Sequence, residues 1–210
     1  MKKLRFYSAV KTILGPVLKL FMRIHVKGSE NEYTGDGGCV VCTNHTHFFD
    51  CVVLVIAFKA LQIRFLAKKE LFSVPILKNI IKGFGAFGLD RGGQDVGALK
   101  KTIQMLSDGD VVGIFPQGTR QPGKEIADTK FKSGAAMAAY HAKVPVQPVL
   151  IKVKDKRYRL FRKKEVIIGA PISWKELGFS EGAHADYAKA TEIIKEKICA
   201  LEKEQINKVE

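Results

Sequence analysis

Two histidines and a carboxylate stand close together in the stretch NHTHFFD, residues 44–50. An imidazole that takes a proton needs its second ring nitrogen held, usually by a carboxylate, and His45 and Asp50 offer that pair. Five residues of continuous helix turn through about 500°, so these two side chains can meet only across a turn. A loop between a strand and a helix supplies one, and Asp50 would also stabilise the start of that helix. The stretch predicts a general base, His45, oriented by Asp50.

Three other interpretations of this stretch stay open. Cys42 and Cys51 flank it, so a thiol nucleophile is one of them. A zinc site is the second, although Cys39 and Cys42 would face opposite sides of a strand and no second ligand pair follows at zinc-finger spacing. A purely structural role for His45 and Asp50 is the third. A His–Asp pair favours activation of a hydroxyl group that belongs to the substrate.

Two further loops combine arginine with glycine. In "FPQGTR", residues 115–120, proline ends a strand, Gly118 permits a tight turn and Arg120 presents a planar cation. "LDRGG", residues 89–93, repeats the pattern with Arg91. Arginine binds phosphate through two parallel hydrogen bonds, and backbone N–H groups can assist. Neither loop is a nucleotide-binding motif, because GxxxxGK[ST] and GxGxxG are both absent. Together they predict a phosphorylated substrate.

Apolar runs alternate with amphipathic stretches along the chain, which predicts one α/β domain with a largely parallel, helix-covered sheet. In such sheets functional groups collect in loops that leave the carboxyl ends of strands, so residues 44–50, 90–93 and 116–120 should line one crevice. Strands are predicted at 24–33, 39–43, 63–68, 86–89, 111–115, 144–153 and 165–170, and helices at 51–61, 71–84 with a bend near Pro75, 95–109, 133–142 and 183–205.

Residues 1–24 form a separate amphipathic segment, and residues 25–210 form the domain that carries the loops. At 100° per residue, apolar side chains of this segment share one face and cations share the other, which is typical of a helix lying in a membrane interface. Gly15-Pro16 should kink or divide the helix. Packing of the apolar face on the protein's own core is the alternative. The apolar face contains Phe6, Val10, Ile13, Leu14, Val17 and Phe21, and the cationic face contains Arg5, Lys19 and Arg23.

The formal net charge of +14 is concentrated in residues 1–30 and in the segment KVKDKRYRLFRKKE, residues 152–165. Such patches attract acidic carrier proteins, anionic lipid headgroups or nucleic acid. Nucleic-acid binding would leave the stretches NHTHFFD and FPQGTR unexplained. Three of the four cysteines lie in or beside apolar runs, which indicates free thiols in a reducing compartment. No uncharged apolar run is long enough to cross a membrane, and no signal-peptide pattern is present.

Four ordered stretches resemble the motifs of the glycerolipid acyltransferase family, which includes 1-acylglycerol-3-phosphate acyltransferases. Gln117 stands where the family carries glutamate, and His47 stands where serine is common. The four stretches are Asn44-His45 with Asp50, Gly85 to Arg91, Phe115 to Arg120, and Val144 to Val149 with Pro145.

The resemblance implies transfer of a fatty acyl group from acyl-CoA or acyl carrier protein to the free hydroxyl of 1-acylglycerol-3-phosphate, with no metal or cofactor. His45 and Asp50 would act as base and orienter, and Asn44 and Pro145 would support the motifs. The basic amphipathic segment and the absence of a long apolar hairpin predict a peripheral enzyme on an anionic membrane surface, at the cytoplasmic face, and no nucleic-acid partner is expected. The alternatives are another lysolipid acceptor, a thioesterase, or a non-catalytic lipid-binding relative. The phosphate would be held by Arg91, Gln117, Gly118, Thr119 and Arg120.

Overall fold

The alternation of strands and helices predicted from the sequence is present in the structure, a computed structural model that describes residues 5–68, 72–73, 75–89, 96–153, 161–180 and 185–206. A short 3₁₀ helix, Ser29–Asn31, follows the first strand. The strands are β1 Ile24–Lys27, β2 Cys39–Thr43, β3 Ile63–Lys68, β4 Phe87–Leu89, β5 Val111–Ile114, β6 Val146–Val153 and β7 Lys164–Ile168. The helices are α1 Arg5–Ile13, α2 Gly15–Phe21, α3 Asp50–Ala57, α4 Pro75–Gly83, α5 Val96–Ser107, α6 Gly134–Ala142 and α7 Tyr187–Ile206.

The strands form one sheet of seven in the order β1-β7-β6-β2-β5-β3-β4. Every neighbouring pair is parallel except β6 and β7, which run antiparallel, so the predicted largely parallel sheet is confirmed. Strand β2 lies between β5 and β6 and is buried along its whole length. A continuous apolar run such as CVVCT is what a strand covered on both faces requires.

Helices cover both faces of the sheet. Val40 and Cys42 of β2 point towards a core shared with α5, α6 and α7. Cys39 and Val41 point the other way, towards a core shared with α1 and α3. Side chains alternate along a strand, so this separation confirms that Cys39 and Cys42 face opposite sides.

Several predicted boundaries were wrong. The first strand, predicted over residues 24–33, ends at Lys27, and the helix predicted over residues 51–61 ends at Ala57. Helix α4 begins at Pro75 instead of bending there, because proline lacks the N–H that the first turn of a helix leaves unused. The amphipathic segment was predicted to run to residue 24, but Ile24 starts β1 and is buried beside β7.

The amino-terminal segment divides at Gly15-Pro16 into α1 and α2, as predicted. One side of α1 is fixed to the domain by polar contacts. The hydroxyl of Tyr7, a fully buried side chain, accepts the N–H of Ile63 at 3.1 Å, and Lys11 donates to the carbonyl of Lys59 at 2.7 Å. The segment is therefore docked on the domain.

The outer side of α1 and α2 leaves large apolar side chains in solvent. Lys19 and Arg23 are exposed as well, whereas the side chains of Arg5 and Val10 lie outside the described set. Within the described residues, no helix is long and apolar enough to cross a membrane. The exposed fractions are 47% for Phe6, 70% for Ile13, 48% for Leu14, 56% for Val17, 79% for Leu20 and 59% for Phe21.

Candidate active site

The site lies where β2, β5 and β6 end. The three strands run in the same direction, with Cys42 beside Ile114 and Thr43 beside Val149, so their carboxyl ends meet at one edge of the sheet. The loops that follow β2 and β5 therefore approach each other, as the sequence predicted.

His45 and Asp50 meet across the turn between β2 and α3. Nδ1 of His45 lies 2.9 Å from Oδ2 of Asp50, whose side chain is fully buried. The same oxygen accepts the N–H groups of Thr46 and His47, each at 2.7 Å. Asp50 is the first residue of α3, where a carboxylate also interacts favourably with the helix dipole.

These contacts define which nitrogen of His45 is available for chemistry. Backbone N–H groups can only donate, so Asp50 is held as an acceptor, and Nδ1 of His45 must carry the proton that it shares with Oδ2. Nε2 then has a free lone pair. The His45 side chain is 19% exposed, so the ring is partly open to solvent.

The His45 ring is also held by an aromatic stack that the sequence did not reveal. Its centroid lies 4.0 Å from that of Phe115, with 20° between the planes. Phe115 in turn stacks on Phe65 of β3 at 5.9 Å. Rotation of the imidazole about its Cβ–Cγ bond is thereby restricted.

The loop after β5 holds the backbone of His45 from both sides. The amide oxygen of Gln117 accepts the His45 N–H at 2.6 Å, and the Gln121 N–H donates to the His45 carbonyl at 2.8 Å. Gln117 is buried, and its Nε2 donates to Thr129 at 2.9 Å. Gln117 was predicted as a phosphate ligand, and the structure uses both ends of its amide inside the protein.

Asn44 and Pro145 connect neighbouring strands. The Asn44 amide donates to the carbonyl of Ile151 at 2.9 Å and accepts its N–H at 2.8 Å, which extends the pairing of β2 with β6 up to the site. Pro145 precedes β6 at the opposite edge of the sheet, where its carbonyl accepts the N–H of Val40 at 3.1 Å. Pro145 is therefore remote from His45.

Cations surround the turn at Gly118, which has a φ of 71°. Arg120 is exposed. Lys132 was not predicted, yet a Cβ added to Gly118 would lie only 3.3 Å from its Nζ. Thr119 accepts a hydrogen bond from the Gln121 amide at 3.1 Å. Of the predicted phosphate ligands, Arg91 lies outside the described residues.

His47 and Lys164 add to this electrostatic environment. Burial lowers the pKa of His47; Asp50 opposes that effect, and Arg120 and Lys164 lower the pKa further. A neutral His47 at physiological pH follows. Lys164 was predicted to belong to a basic surface, but its side chain is buried and donates to the carbonyls of Met22 and Arg162 at 3.1 and 2.8 Å. It fastens β7 to the end of α2.

The cysteines do not suit nucleophilic or metal chemistry. All four are free thiols, and burial raises the pKa of Cys51 to about 12 and that of Cys42 further still. A thiol in that state carries almost no thiolate at neutral pH. Among the described residues, no group of three or more histidine, cysteine, aspartate or glutamate side chains is placed to hold a metal ion.

A cavity of about 550 Å³ opens beside Asn44 and Thr46. Its walls carry charges of both signs, and two of its lysines are paired: Lys163 with Glu165 at 2.8 Å and Lys152 with Glu202 at 3.6 Å. The cavity is adjacent to His45 and continues the crevice along the end of β6.

The model of the Acyltransferase family matches residues 23–152, which include His45, Asp50 and the loop after β5. The chain belongs to the acyltransferase family. It is 30% identical over 198 residues to the 1-acyl-sn-glycerol-3-phosphate acyltransferase of Bacillus subtilis (strain 168), an alignment that covers 93% of this chain and 96% of that protein. The protein is an enzyme of this type.

Two further relatives extend the comparison. The 1-acyl-sn-glycerol-3-phosphate acyltransferase of Streptococcus pneumoniae is 32% identical over 126 residues, 60% of this chain and 46% of that protein. The crystal structure of the 1-acyl-sn-glycerophosphate (LPA) acyltransferase PlsC from Thermotoga maritima superposes with a TM-score of 0.72 at 27% identity, covering 95% of this chain and 79% of that one. The acyltransferase fold is therefore shared over nearly the whole chain.

Proposed function

We propose that this acyltransferase moves a fatty acyl group from a thioester donor to the free hydroxyl of 1-acylglycerol-3-phosphate, which yields phosphatidate. The observation that carries the proposal is the His45–Asp50 pair, in which Asp50 is buried and the His45 side chain is 19% exposed, in a chain similar over 93% of its length to an enzyme named for this acceptor. The cations at the neighbouring turn supply the complement to a phosphate monoester.

In the reaction, Nε2 of His45 takes the proton of the acceptor hydroxyl while the hydroxyl oxygen attacks the thioester carbonyl. Asp50 holds the ring and stabilises the imidazolium that forms. A tetrahedral intermediate then collapses, the carbon–sulfur bond breaks, and the imidazolium returns its proton to the departing thiolate. Positioned proton transfer of this kind contributes on the order of 10²–10⁴ in rate.

We assign the acceptor phosphate to the turn at Gly118. Arg120 and Lys132 supply charge, Thr119 supplies a hydroxyl, and Arg91 completes the set by its place in the family motif. Lys132 makes no ion pair with any residue that the structure describes, so its ammonium group is available for an anion. The resulting site is cationic and adjoins a neutral His47.

We assign the acidic end of the donor to the cavity beside Asn44 and Thr46. Acyl-CoA and acyl carrier protein both carry the thioester at one end of a phosphopantetheine arm and a phosphate at the other end, and the cavity wall includes Lys124, Lys152 and Lys163. These lysines belong to, or lie beside, the basic segment 152–165 that the sequence singled out. The same complementarity applies to both donors, so an assay of thiol release with each donor distinguishes them.

We further propose that the outer side of α1 and α2 binds the surface of an anionic membrane. The exposed apolar side chains would enter the acyl region, and Lys19 and Arg23 would meet headgroups. Phe161 extends this surface, since it is 59% exposed and its ring lies 5.5 Å from that of Phe21. Four free thiols suit the reducing cytoplasm, so we place the enzyme at the cytoplasmic face of the cell membrane.

A comparison of acceptors tests the proposed reaction. Purified enzyme in mixed micelles would receive 1-acylglycerol-3-phosphate, glycerol-3-phosphate or a lysophosphatidylcholine, with the product identified by mass spectrometry. Phosphatidate should form fastest, because only the first acceptor has both an acyl chain and a phosphate monoester. Equal rates with lysophosphatidylcholine would contradict a phosphate-monoester site at Gly118.

A further inference from the structure

Gln117 is the point at which this chain departs from the glutamate of the motif it resembles, and the structure gives that amide a specific task. Its side chain is 7% exposed and lies between the backbone of His45 and the side chain of Thr129. Thr129 is 5% exposed, so this hydrogen bond is buried as well.

The chemistry of the neighbours decides how the Gln117 amide is oriented. The His45 N–H can only donate, so the amide oxygen must face it, at 2.6 Å. The amide nitrogen must therefore face Thr129, at 2.9 Å. A side chain at this position has to accept at one end and, in this chain, to donate at the other.

The demand for a donor comes from Thr129. The carbonyl of Ile126 can only accept, and the Thr129 hydroxyl lies 2.8 Å from it, so the hydroxyl proton is committed there. The hydroxyl oxygen is then left with lone pairs for residue 117. A carboxylate at 117 would compete with the Ile126 carbonyl for that one proton, whereas an amide satisfies both.

We propose that Gln117 is a positioning residue for His45 and that Thr129 is its partner, so that the chain Ile126–Thr129–Gln117–His45 sets the place of the base. The loop fixes His45 at two backbone atoms, because Gln121 holds the His45 carbonyl at 2.8 Å. Asp50 and Phe115 orient the ring, and Gln117 holds the peptide from which the ring projects. This inference rests on the acyl transfer proposed above.

Gln117 and its neighbours in the same loop should affect different kinetic constants. A phosphate ligand contributes to binding, so its loss raises KM for the acceptor. A residue that positions the base contributes to the chemical step, so its loss lowers kcat and leaves that KM nearly unchanged. Gln117 and Arg120 should therefore fall into different kinetic classes although they are three residues apart.

The test measures kcat and acceptor KM for Gln117→Ala, Thr129→Val and Thr129→Ser, with Arg120→Ala as the matched control. We expect Gln117→Ala to lower kcat about 100-fold, as misplaced catalytic groups do, with acceptor KM changed less than about threefold. Thr129→Val removes only the hydroxyl and should lower kcat about tenfold, since it leaves the amide of Gln117 without its acceptor. Thr129→Ser keeps the hydroxyl and should retain wild-type kcat.

A rise in acceptor KM for Gln117→Ala at unchanged kcat, or wild-type kcat in Thr129→Val, would overturn the inference. Thr129→Val decides the matter even if Gln117→Ala fails to fold, because valine matches threonine in shape. Hydrogen exchange at the His45 amide provides a readout that needs no turnover: Thr129→Val should accelerate it relative to Thr129→Ser, and equal rates would count against the pairing. A wild type without acceptor-dependent turnover but with this exchange difference would refute the proposed reaction and leave the hydrogen-bond chain intact.

Discussion

The loop around His45 and the outer side of α1 and α2 differ in whether their side chains have partners within the protein. Around His45, the polar groups described above find partners within the protein: Asp50 accepts three N–H groups, and both the N–H and the carbonyl of His45 are held. On the outer side of the helices, the apolar side chains of Phe6, Ile13, Leu14, Val17, Leu20 and Phe21 are exposed to solvent. One region is complete in the isolated chain, and the other requires a surface to cover it.

This difference matches the different physical requirements of the functions proposed for the two regions. Proton transfer depends on distances within hydrogen-bond range, and a network of buried partners maintains them. Membrane attachment depends on apolar area and charge, which need no fixed geometry. A large apolar patch left uncovered on an otherwise well-packed domain usually marks an interaction site.

Among the variants considered, Asp50→Asn in the His45 loop should have the largest effect on kcat. Asparagine keeps one oxygen that can face the three N–H groups, but it lacks the negative charge that stabilises the imidazolium formed when His45 takes a proton. We expect kcat to fall on the order of 10³-fold or more, as when the carboxylate partner of a catalytic histidine becomes an amide. Steady-state kinetics on a variant that binds vesicles like the wild type would establish it. A loss below tenfold would show that Asp50 does not orient the base.

A pair of substitutions on α2 should impair membrane binding and leave the His45 site intact. Leu20→Asp combined with Phe21→Asp should reduce partition onto vesicles that contain phosphatidylglycerol by roughly 100-fold, because each side chain contributes about 1.5–3 kcal/mol when buried. Turnover of a micellar acceptor should change much less, since neither residue touches His45. Sedimentation with vesicles measures the partition.

The matched control for that pair adds the same charge elsewhere. Ser107→Asp with Ala188→Asp places two carboxylates at exposed positions on α5 and α7, across the sheet. This control should sediment like the wild type. Equal loss in both double variants would mean that net charge, not the apolar surface, drives attachment.

Removing a cation at the phosphate turn should have an intermediate effect. Lys132→Ala and Arg120→Ala should each raise acceptor KM by about tenfold, the size expected for one charge-assisted hydrogen bond, with little change in kcat. Lys189→Ala, an exposed lysine on α7, serves as the control and should leave KM unchanged. An unchanged KM in Lys132→Ala would remove this lysine from the phosphate site.

The smallest effect belongs to the thiols beside the motif. Because burial raises the pKa of Cys51 to about 12, its thiol stays protonated from pH 6 to pH 9 and supplies no nucleophile in that range. Cys51→Ala should therefore keep activity within about twofold of the wild type, the scatter expected for a minor packing change. Loss of an acyl-enzyme intermediate in this variant would instead revive the thiol mechanism.

The sequence predicted the parts of the site that depend on local pattern. His45 and Asp50 carry their chemistry and their spacing in one stretch, and the turn between a strand and a helix follows from the elements around it. Arg120 and Gly118 were predicted from local pattern too, because both lie in the short stretch FPQGTR. The three-layer arrangement followed from alternating strands and helices.

What the sequence did not reveal depends on contacts between distant residues. Thr129 and Lys132 reach the site through the fold of the loop after β5, and no spacing in the chain marks them. Phe115 begins a predicted motif, but its stack on His45 was not predicted. Lys164 was assigned to a basic surface because charge alone suggests exposure. In the structure its side chain is buried, and its ammonium group donates hydrogen bonds to two backbone carbonyls. Leu20 was missed because the break at Gly15-Pro16 resets the helical phase, so a continuous 100° projection does not apply to α2.

The measurement that tests the central claim most directly is release of free thiol from acyl-CoA and from acyl carrier protein, with and without 1-acylglycerol-3-phosphate, in wild type and His45→Ala. The account predicts acceptor-dependent release in the wild type with at least one donor, reduced by 10³-fold or so in His45→Ala while vesicle binding is retained. The donor that supports release identifies the partner of the cavity beside Asn44. Release that is independent of acceptor, or that survives in His45→Ala, would contradict acyl transfer to a lipid hydroxyl by this base.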